Sequence, residues 1–161
     1  MPTPQATSAP TPITWKASAP EAERGVLLDT GPLVALLTAS DAHHRRCVDA
    51  LASLSPPLLT CWQVLTEAAW LLRKQYRPLD RLAEAHAAGV FHILPLDGDS
   101  LVAIADIMRR HESIGLQFAD AALVHLAERE NIRTVFTTDR RDFSIVRLKR
   151  NRALKLIPDL Q

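Results

Sequence analysis

The sequence contains little glycine, with five glycines among 161 residues. None of them forms a glycine-rich loop of the kind that cradles nucleotide phosphates, which argues against the use of nucleoside triphosphates. Long apolar runs are also missing, since no stretch approaches the roughly 18 residues that a membrane-spanning helix needs. Residues 1–24 lack the apolar core of a secretory signal. We therefore expect a protein that works outside the membrane.

Cysteine and net charge are also low. The two cysteines, Cys47 and Cys61, form no metal-type cluster, and we expect two reduced, partly buried thiols, which fits a cytoplasmic location. The formal net charge is +1, so any binding of nucleic acid must depend on local patches. An apolar fraction of 47% in a chain of this length predicts one globular domain with a core of its own.

The first 24 residues differ in composition from the rest of the chain. They are rich in Pro, Ala, Thr and Ser, and Trp15 is their one large aromatic residue. Such a segment cannot bury enough apolar surface to fold alone. We predict a disordered or loosely docked extension over residues 1–24 and a folded domain over residues 25–161, although a misassigned start would also explain the extension.

From Gly25 onward, short apolar runs alternate with longer segments of helical period, which predicts an α/β domain with a largely parallel sheet. The predicted strands are Val26–Asp29, Leu58–Cys61, Phe91–Leu94, Thr134–Thr137 and Leu154–Ile157. The predicted helices are Pro32–Ala39, Ala42–Leu54, Trp62–Gln75, Pro78–Ala88, Ser100–Glu112 and Phe118–Glu130. Ligands of such sheets bind beyond the carboxyl ends of the strands.

Capping residues support several of these helix boundaries. Ser40-Asp41 and Asp97–Ser100 suit the start of a helix. Pro32 and Pro78 suit a first helical turn, and Gly89 suits a helix end.

Four carboxylates lie in or next to apolar segments, where acidic residues are uncommon. Asp29 follows an apolar run, and Glu67 lies inside an apolar helical stretch. Asp120 opens another such stretch, and Asp139 follows a predicted strand. Burying a carboxylate is costly unless positive charge meets it. Four converging carboxylates would instead bind a hard divalent cation, which commonly assists chemistry on phosphates.

Each acid also has an ordinary structural interpretation. Asp29 suits a helix N-cap, and Glu67 could extend to solvent from the edge of its helix face. Asp120 could stabilise a first helical turn through the helix dipole, and Asp139 or Asp142 could be a turn residue. The functional hypothesis therefore depends on the order of the four acids and not on any one of them. In chain order, they lie at a strand end, inside a helix, at a helix start and at a second strand end.

The segments around these acids carry a family resemblance. They read Leu-Leu-Asp-Thr-Gly-Pro-Leu-Val-Ala-Leu, Leu-Thr-Glu-Ala-Ala-Trp-Leu-Leu, Phe-Ala-Asp-Ala-Ala-Leu-Val and Thr-Thr-Asp-Arg-Arg-Asp-Phe. In this order they resemble PIN-domain proteins, and more narrowly the VapC-type ribonuclease toxins of toxin–antitoxin systems. The resemblance runs from about Val26 to Phe143. It implies a three-layer α/β/α PIN domain over residues 25–161 with a mostly parallel central sheet.

The resemblance also implies an activity, namely that of an endoribonuclease dependent on Mg²⁺ or Mn²⁺. It implies an RNA substrate, a cognate antitoxin, a homodimer and a cytoplasmic location. Thr137 or Thr138 would be a polar group that assists the site. The implied catalytic and metal-binding acids are Asp29, Glu67, Asp120 and Asp139, with Asp142 as an auxiliary metal ligand.

Three further features bear on this hypothesis. Trp62 and Trp70 are expected to fill the core rather than to stack on bases. His43 and His44 are expected to have surface or packing roles, so no histidine is placed in the site. A basic C-terminal stretch is either a rim that holds an RNA backbone or an ordinary solvated surface. It consists of Arg140, Arg141, Arg147, Lys149, Arg150, Arg152 and Lys155.

Other functions fit the sequence less well. A haloacid dehalogenase-type phosphatase needs a second Asp two residues after the first, where this chain has Gly31. A receiver domain needs a lysine at a strand end, and no lysine stands there. A catalytically idle PIN module that binds RNA or protein remains the alternative, disfavoured because all four acids are present.

Overall fold

The computed structural model describes residues 25–54, 57–75 and 77–159. The extension predicted for residues 1–24 therefore lies outside the described residues. The strands are β1 Val26–Leu28, β2 Leu58–Thr60, β3 Phe91–Ile93, β4 Thr134–Phe136, β5 Arg147–Leu148, β6 Arg152–Ala153 and β7 Lys155–Ile157. The helices are α1 Thr30–Leu37, α2 His44–Ala52, α3 Trp62–Leu71, α4 Pro78–Ala87, α5 Gly98–Arg110, α6 Phe118–Arg129 and α7 Arg140–Ile145.

Five strands form one parallel sheet in the order β3-β2-β1-β4-β7. Strand β1 pairs with β4 through Leu27↔Val135 and with β2 through Leu27↔Leu59. Because every pair is parallel, the carboxyl ends of all five strands meet at one edge, which is where polar side chains can gather. Strands β5 and β6 form a separate antiparallel pair. The predicted α/β class, with helices flanking a parallel sheet, is confirmed.

The core is built from the sheet and the apolar faces of the helices. The strands β1 and β2 are short and almost wholly apolar, as expected where both faces of a parallel sheet are covered. Helix α6 is the most deeply embedded helix, and its small residues let it pack closely against α3 and α5. Its buried residues are Ala119, Ala121, Ala122, Leu123, Val124, Leu126 and Ala127.

All five predicted strands exist, but the first four end one residue earlier than predicted. The residue after β1 is Asp29, which leaves the ladder to cap α1, so this helix begins at Thr30 and not at Pro32. Residues Ser40-Asp41 do not cap α2. Asp41 accepts a hydrogen bond from the His43 N–H, and the helix begins one residue later with no side-chain cap.

Helix α7 and the paired strands β5 and β6 were not predicted. Helix α7 is only six residues long, too short to show a helical period, and it follows the Asp139 cap directly. By contrast, Pro78 occupies the first turn of α4 as predicted, and Gly89 follows that helix with a φ of +74°. Glycine adopts this left-handed conformation at little cost.

The tryptophan prediction was wrong. Trp62 and Trp70 on α3 are each 64% exposed, and smaller residues of the same helix fill the core instead. The two cysteines, Cys47 and Cys61, are free and buried, as expected. In the described part of the chain, no helix is both long and apolar enough to cross a membrane.

Helix α5 offers a test of the capping interpretation. Asp97 Oδ1 accepts a hydrogen bond from the Ser100 N–H at 2.9 Å, and the Asp97 N–H donates to Ser100 Oγ at 3.3 Å, which completes a capping box. We expect Asp97→Ala to lower the free energy of unfolding by about 1 kcal/mol because a helical N–H loses its acceptor. Urea denaturation measures the change. Asp99→Ala, in the same first turn, is the control, and an equal loss there would contradict a specific cap.

Candidate active site

Asp29 is the buried centre of the site, with 4% of its surface exposed. It directly follows β1, and its N–H donates to the Phe136 carbonyl of the adjacent strand β4 at 3.0 Å. Its carboxylate accepts from the Thr30 N–H at Oδ1 and from Thr137 Oγ1 at Oδ2, both at 2.7 Å. The pairing of β1 with β4 therefore brings together an acid and a hydroxyl that are 108 residues apart.

Glu67 approaches the same edge from α3 and is half-buried. Its Oε2 accepts a hydrogen bond from Thr30 Oγ1 at 2.7 Å. Thr30 therefore serves two acids, through its N–H to Asp29 and through its hydroxyl to Glu67. Sequence analysis did not single out Thr30, although its place between the first acid and the start of α1 could have indicated a link to both.

Asp120 completes the group from the first turn of α6, where its side chain is half-buried. Its pKa is raised to about 7, chiefly by burial and in addition by the neighbouring charges of Asp29, Glu67 and Asp139. The pKa of Asp29 rises to about 6, chiefly through burial, although its hydrogen bonds from Thr137 and Thr30 act in the opposite direction. The four acids thus repel one another as one electrostatic cluster.

Asp139 and Asp142 differ in position and partners. Asp139 is exposed and caps α7, since its Oδ1 accepts from the Arg141 N–H at 3.0 Å, and its own N–H donates to Thr137 Oγ1 at 2.9 Å. Asp142 is buried and accepts from Arg141 Nε at 3.0 Å. The structure therefore groups Asp139 with the other three acids, whereas Asp142 pairs with an arginine.

Gly31 is a second residue that sequence analysis did not place in the site. A Cβ at this position would lie 2.0 Å from Thr138 Oγ1 and 3.3 Å from Thr138 Cβ, so any larger residue would require the Thr138 side chain to move. Glycine therefore permits this close approach between the first turn of α1 and the residues after β4.

The basic C-terminal stretch is divided between two ends of the sheet. Arg140 and Arg141 follow Asp139 at the carboxyl edge, although Arg140 also donates to the Pro158 carbonyl at 2.7 Å. Lys155 pairs with Thr134 at the amino end of β4, on the opposite edge. Within the described residues, the members of the stretch that adjoin an acid of the cluster in the chain are Arg140 and Arg141, whereas Lys155 lies away from it.

The four acids supply only oxygen donors, which suit Mg²⁺ or Mn²⁺ better than zinc. Their mutual repulsion favours the uptake of positive charge, either as protons or as a cation. However, no three acidic, histidine or cysteine side chains converge closely enough to form a ready metal-binding group within residues 25–54, 57–75 and 77–159. The donor chemistry and the charge therefore fit a divalent cation, while binding would require the side chains to draw closer.

A five-stranded parallel sheet flanked by helices, with acids at its carboxyl edge, defines an α/β domain with an acidic centre. The PIN domain family model matches residues 26–149, and the chain belongs to that family.

The similar proteins agree with this assignment. The chain is 27% identical to ribonuclease VapC26 of Mycobacterium tuberculosis over 124 residues, which cover 76% of this chain and 92% of that protein. The crystal structure of VapC20, a Sarcin-Ricin loop cleaving toxin of the same organism, matches with a TM-score of 0.67 and 24% identity over 73% of this chain and 92% of that chain. A toxin–antitoxin complex from Klebsiella pneumoniae matches with a TM-score of 0.60 and 20% identity. The match covers 76% of this chain and 92% of that chain. These structural likenesses show the fold, and the predicted PIN-family, VapC-like resemblance is confirmed.

The raised pKa values predict how stability depends on pH. A carboxyl group whose pKa is higher in the folded than in the unfolded state binds protons more tightly when folded, so stability falls as pH rises from about 4 to about 7. With divalent ions chelated, Asp120→Asn should therefore raise the free energy of unfolding at pH 8 by roughly 2 kcal/mol, with a smaller gain at pH 5. Denaturant titrations at both pH values measure this. The exposed Asp49→Asn is the control, and destabilisation by Asp120→Asn at pH 8 would refute the predicted repulsion.

Proposed function

We propose that this protein is an endoribonuclease dependent on Mg²⁺ or Mn²⁺, which hydrolyses RNA phosphodiester bonds as the toxin of a type II toxin–antitoxin pair. The observation that carries the proposal is the electrostatic cluster of Asp29, Glu67, Asp120 and Asp139 at the carboxyl edge of the sheet. Membership of the PIN family and similarity to a ribonuclease and to toxins of toxin–antitoxin systems support it.

The four acids would hold the metal ion, with Asp142 as an auxiliary ligand. When bound, such an ion lowers the pKa of a water molecule and neutralises charge on the phosphate. Side chains of the protein would orient the acids that hold the ion. Thr137 holds one oxygen of Asp29, and Thr30 holds one oxygen of Glu67, so each carboxylate keeps lone pairs for a ligand while its orientation is restricted.

Arg141 is the candidate for contact with the RNA backbone. Its side chain is 82% exposed, and its backbone N–H donates to Asp139 Oδ1, so we expect a phosphate bound at the acids to lie within reach of its guanidinium group. Its ion pair with Asp142 orients the group without burying it. Arg140 is less free to serve because it also donates to the Pro158 carbonyl.

The proposed protein partners have apolar surface available. A groove of about 500 Å³ runs between α3, α4 and β3, and its lining is mainly apolar. We propose that an apolar segment of a cognate antitoxin covers this groove, and that exposed apolar residues such as Leu79 contribute to it. A homodimer and a cytoplasmic location are also proposed, the latter because both cysteines are free thiols.

One observation favours a different function. In the described residues, the acids do not form a ready metal-binding group. A catalytically idle PIN module that binds RNA or protein would not need one. The two functions differ in whether RNA is cut when a divalent ion is supplied.

Replacement of the central acid tests the enzyme. Asp29→Asn keeps an oxygen that can cap α1 but removes the negative charge, so we expect cleavage of RNA in the presence of Mg²⁺ to fall by about 100-fold or more. Sequencing of the cleavage ends from total RNA measures both rate and site. Asp49→Asn on α2 is the matched control. Cleavage that survives Asp29→Asn, or is absent from the unaltered protein, would leave the idle module as the better description.

Metal binding is tested without any substrate. Because repulsion among the acids is relieved by a cation, millimolar Mg²⁺ or Mn²⁺ should raise the melting temperature by about 3–6 °C, the gain expected at some tenfold excess over the dissociation constant. Differential scanning calorimetry measures the shift, with NaCl at equal ionic strength as the control. The shift should be smaller in Asp120→Asn, and an equal shift there would place the ion elsewhere.

A further inference from the structure

Three large aromatic side chains are exposed beside the acid cluster. Trp62 and Trp70 lie eight residues apart on α3, so they share one side of the helix, and each is 64% exposed. Phe118, at the start of α6, is 43% exposed. Tryptophan is highly buried in most folded proteins, so two solvent-facing tryptophans on one helix face indicate a surface made for contact.

These aromatic residues line one cavity of about 630 Å³, which we call the aromatic groove. Glu67 of the acid cluster belongs to the same lining, and Asp120 lies two residues after Phe118. A chain bound at the acids would therefore extend directly into the groove.

The remaining chemistry of the groove fits an unpaired nucleobase. Gln63 and Gln117 also line it and carry amide groups of the type that can pair with base edges. The exposed Arg73 guanidinium covers one face of the Trp70 ring at 3.9 Å from its centre and donates to the Trp70 carbonyl, so a base would stack on the other face with positive charge nearby for a phosphate. Aromatic faces with nearby cations are the usual means of binding single-stranded nucleic acid.

A protein partner fits this groove less well than a nucleic acid. Trp62 also borders the apolar groove between α3, α4 and β3, but an apolar protein surface that extended from there over Trp70 would cover Glu67 and the two glutamines, and burying such groups without partners is costly. A single-stranded RNA offers base faces to the rings and polar base edges to the amides. It also keeps its phosphates in contact with water or with Arg73.

We propose that Trp62, Trp70 and Phe118 form a stacking surface for unpaired nucleobases of an RNA strand held at the acid cluster. The substrate would then be single-stranded at the position next to the cleaved bond, because a base in a duplex cannot reach the rings. This inference rests on the proposed function for the identity of the bound strand.

The test uses the full chain with Asp29→Asn, so that the RNA is not cut during the measurement. Binding of a short single-stranded oligoadenylate is compared with that of the same strand carrying abasic sites, by fluorescence anisotropy. We expect Trp62→Leu, Trp70→Leu and Phe118→Leu each to weaken binding of the base-bearing strand by about tenfold. Binding of the abasic strand should not change, and neither should the salt dependence, since no charge is altered.

Leu101→Ala replaces a similarly exposed apolar residue on α5. This variant is the matched control and should bind the strand as the parent does.

Tryptophan fluorescence gives a second measurement, in which the residues of the groove are left unchanged. With Trp15→Phe in the same chain, Trp62 and Trp70 are the only tryptophans left, and oligoadenylate should quench their emission far more than the abasic strand does.

Other outcomes would overturn the inference. Equal quenching by the two strands, or unchanged affinity in all three leucine variants, would show that the rings do not stack on bases. If sedimentation shows that the variants convert a dimer to a monomer while oligoadenylate affinity is unchanged, the groove is an interface between copies. Cleavage by the unaltered chain is measured separately, so loss of the proposed function and loss of the stacking surface are distinguishable.

Discussion

The structure depends on the burial of one carboxylate, that of Asp29, between the ends of two parallel strands. Burial opposes its ionisation, and hydrogen bonds from Thr30 and Thr137 favour it. These opposing effects leave the pKa of Asp29 at about 6, at the point where β1 and β4 adjoin. The close approach that Gly31 permits at Thr138 belongs to the same constraint, because it brings the start of α1 against the end of β4.

The rest of the site is arranged around that carboxylate. Helix α3 contributes Glu67 and the two exposed tryptophans to one cavity lining. Helix α6 contributes Phe118 to the same lining, two residues before Asp120. Acids, a hydroxyl pair and aromatic rings therefore occupy one edge of the sheet, and Arg141 borders it. A reaction on a single-stranded phosphate backbone would use all of these groups, with the acids for a cation, the arginine for phosphate and the rings for bases.

The sequence predicted the fold class and the five sheet strands, because short apolar runs with helical segments between them have few other solutions. It missed α7, which has too few residues to show a period, and it misplaced the start of α1 because an acid that caps a helix also ends the strand. The exposure of Trp62 and Trp70 could not be predicted, since an apolar stripe does not reveal whether another element covers it.

Sequence analysis singled out the four acids and, through the family resemblance, Thr137 or Thr138, but it did not single out Thr30. The order of Asp29, Glu67, Asp120 and Asp139 carried a family resemblance, whereas Thr30 acts through contacts that join residues 37 positions apart. Position in the sequence left open whether the basic stretch forms a rim or an ordinary surface, and the sheet register separates Lys155 from Arg141. Long-range strand pairing determines which of these residues lie close together, and local sequence pattern does not reveal it.

The central claim is that four separate acids act as one cation-binding centre, and a crystal structure with Mn²⁺ tests it most directly. The anomalous difference map should show a peak in contact with Asp29 and at least two of Glu67, Asp120 and Asp139. Asp29→Asn crystals grown in the same solution should lose that peak. A map from well-occupied crystals with no peak at the carboxyl edge of the sheet, or with its peak at other residues, would contradict the claim.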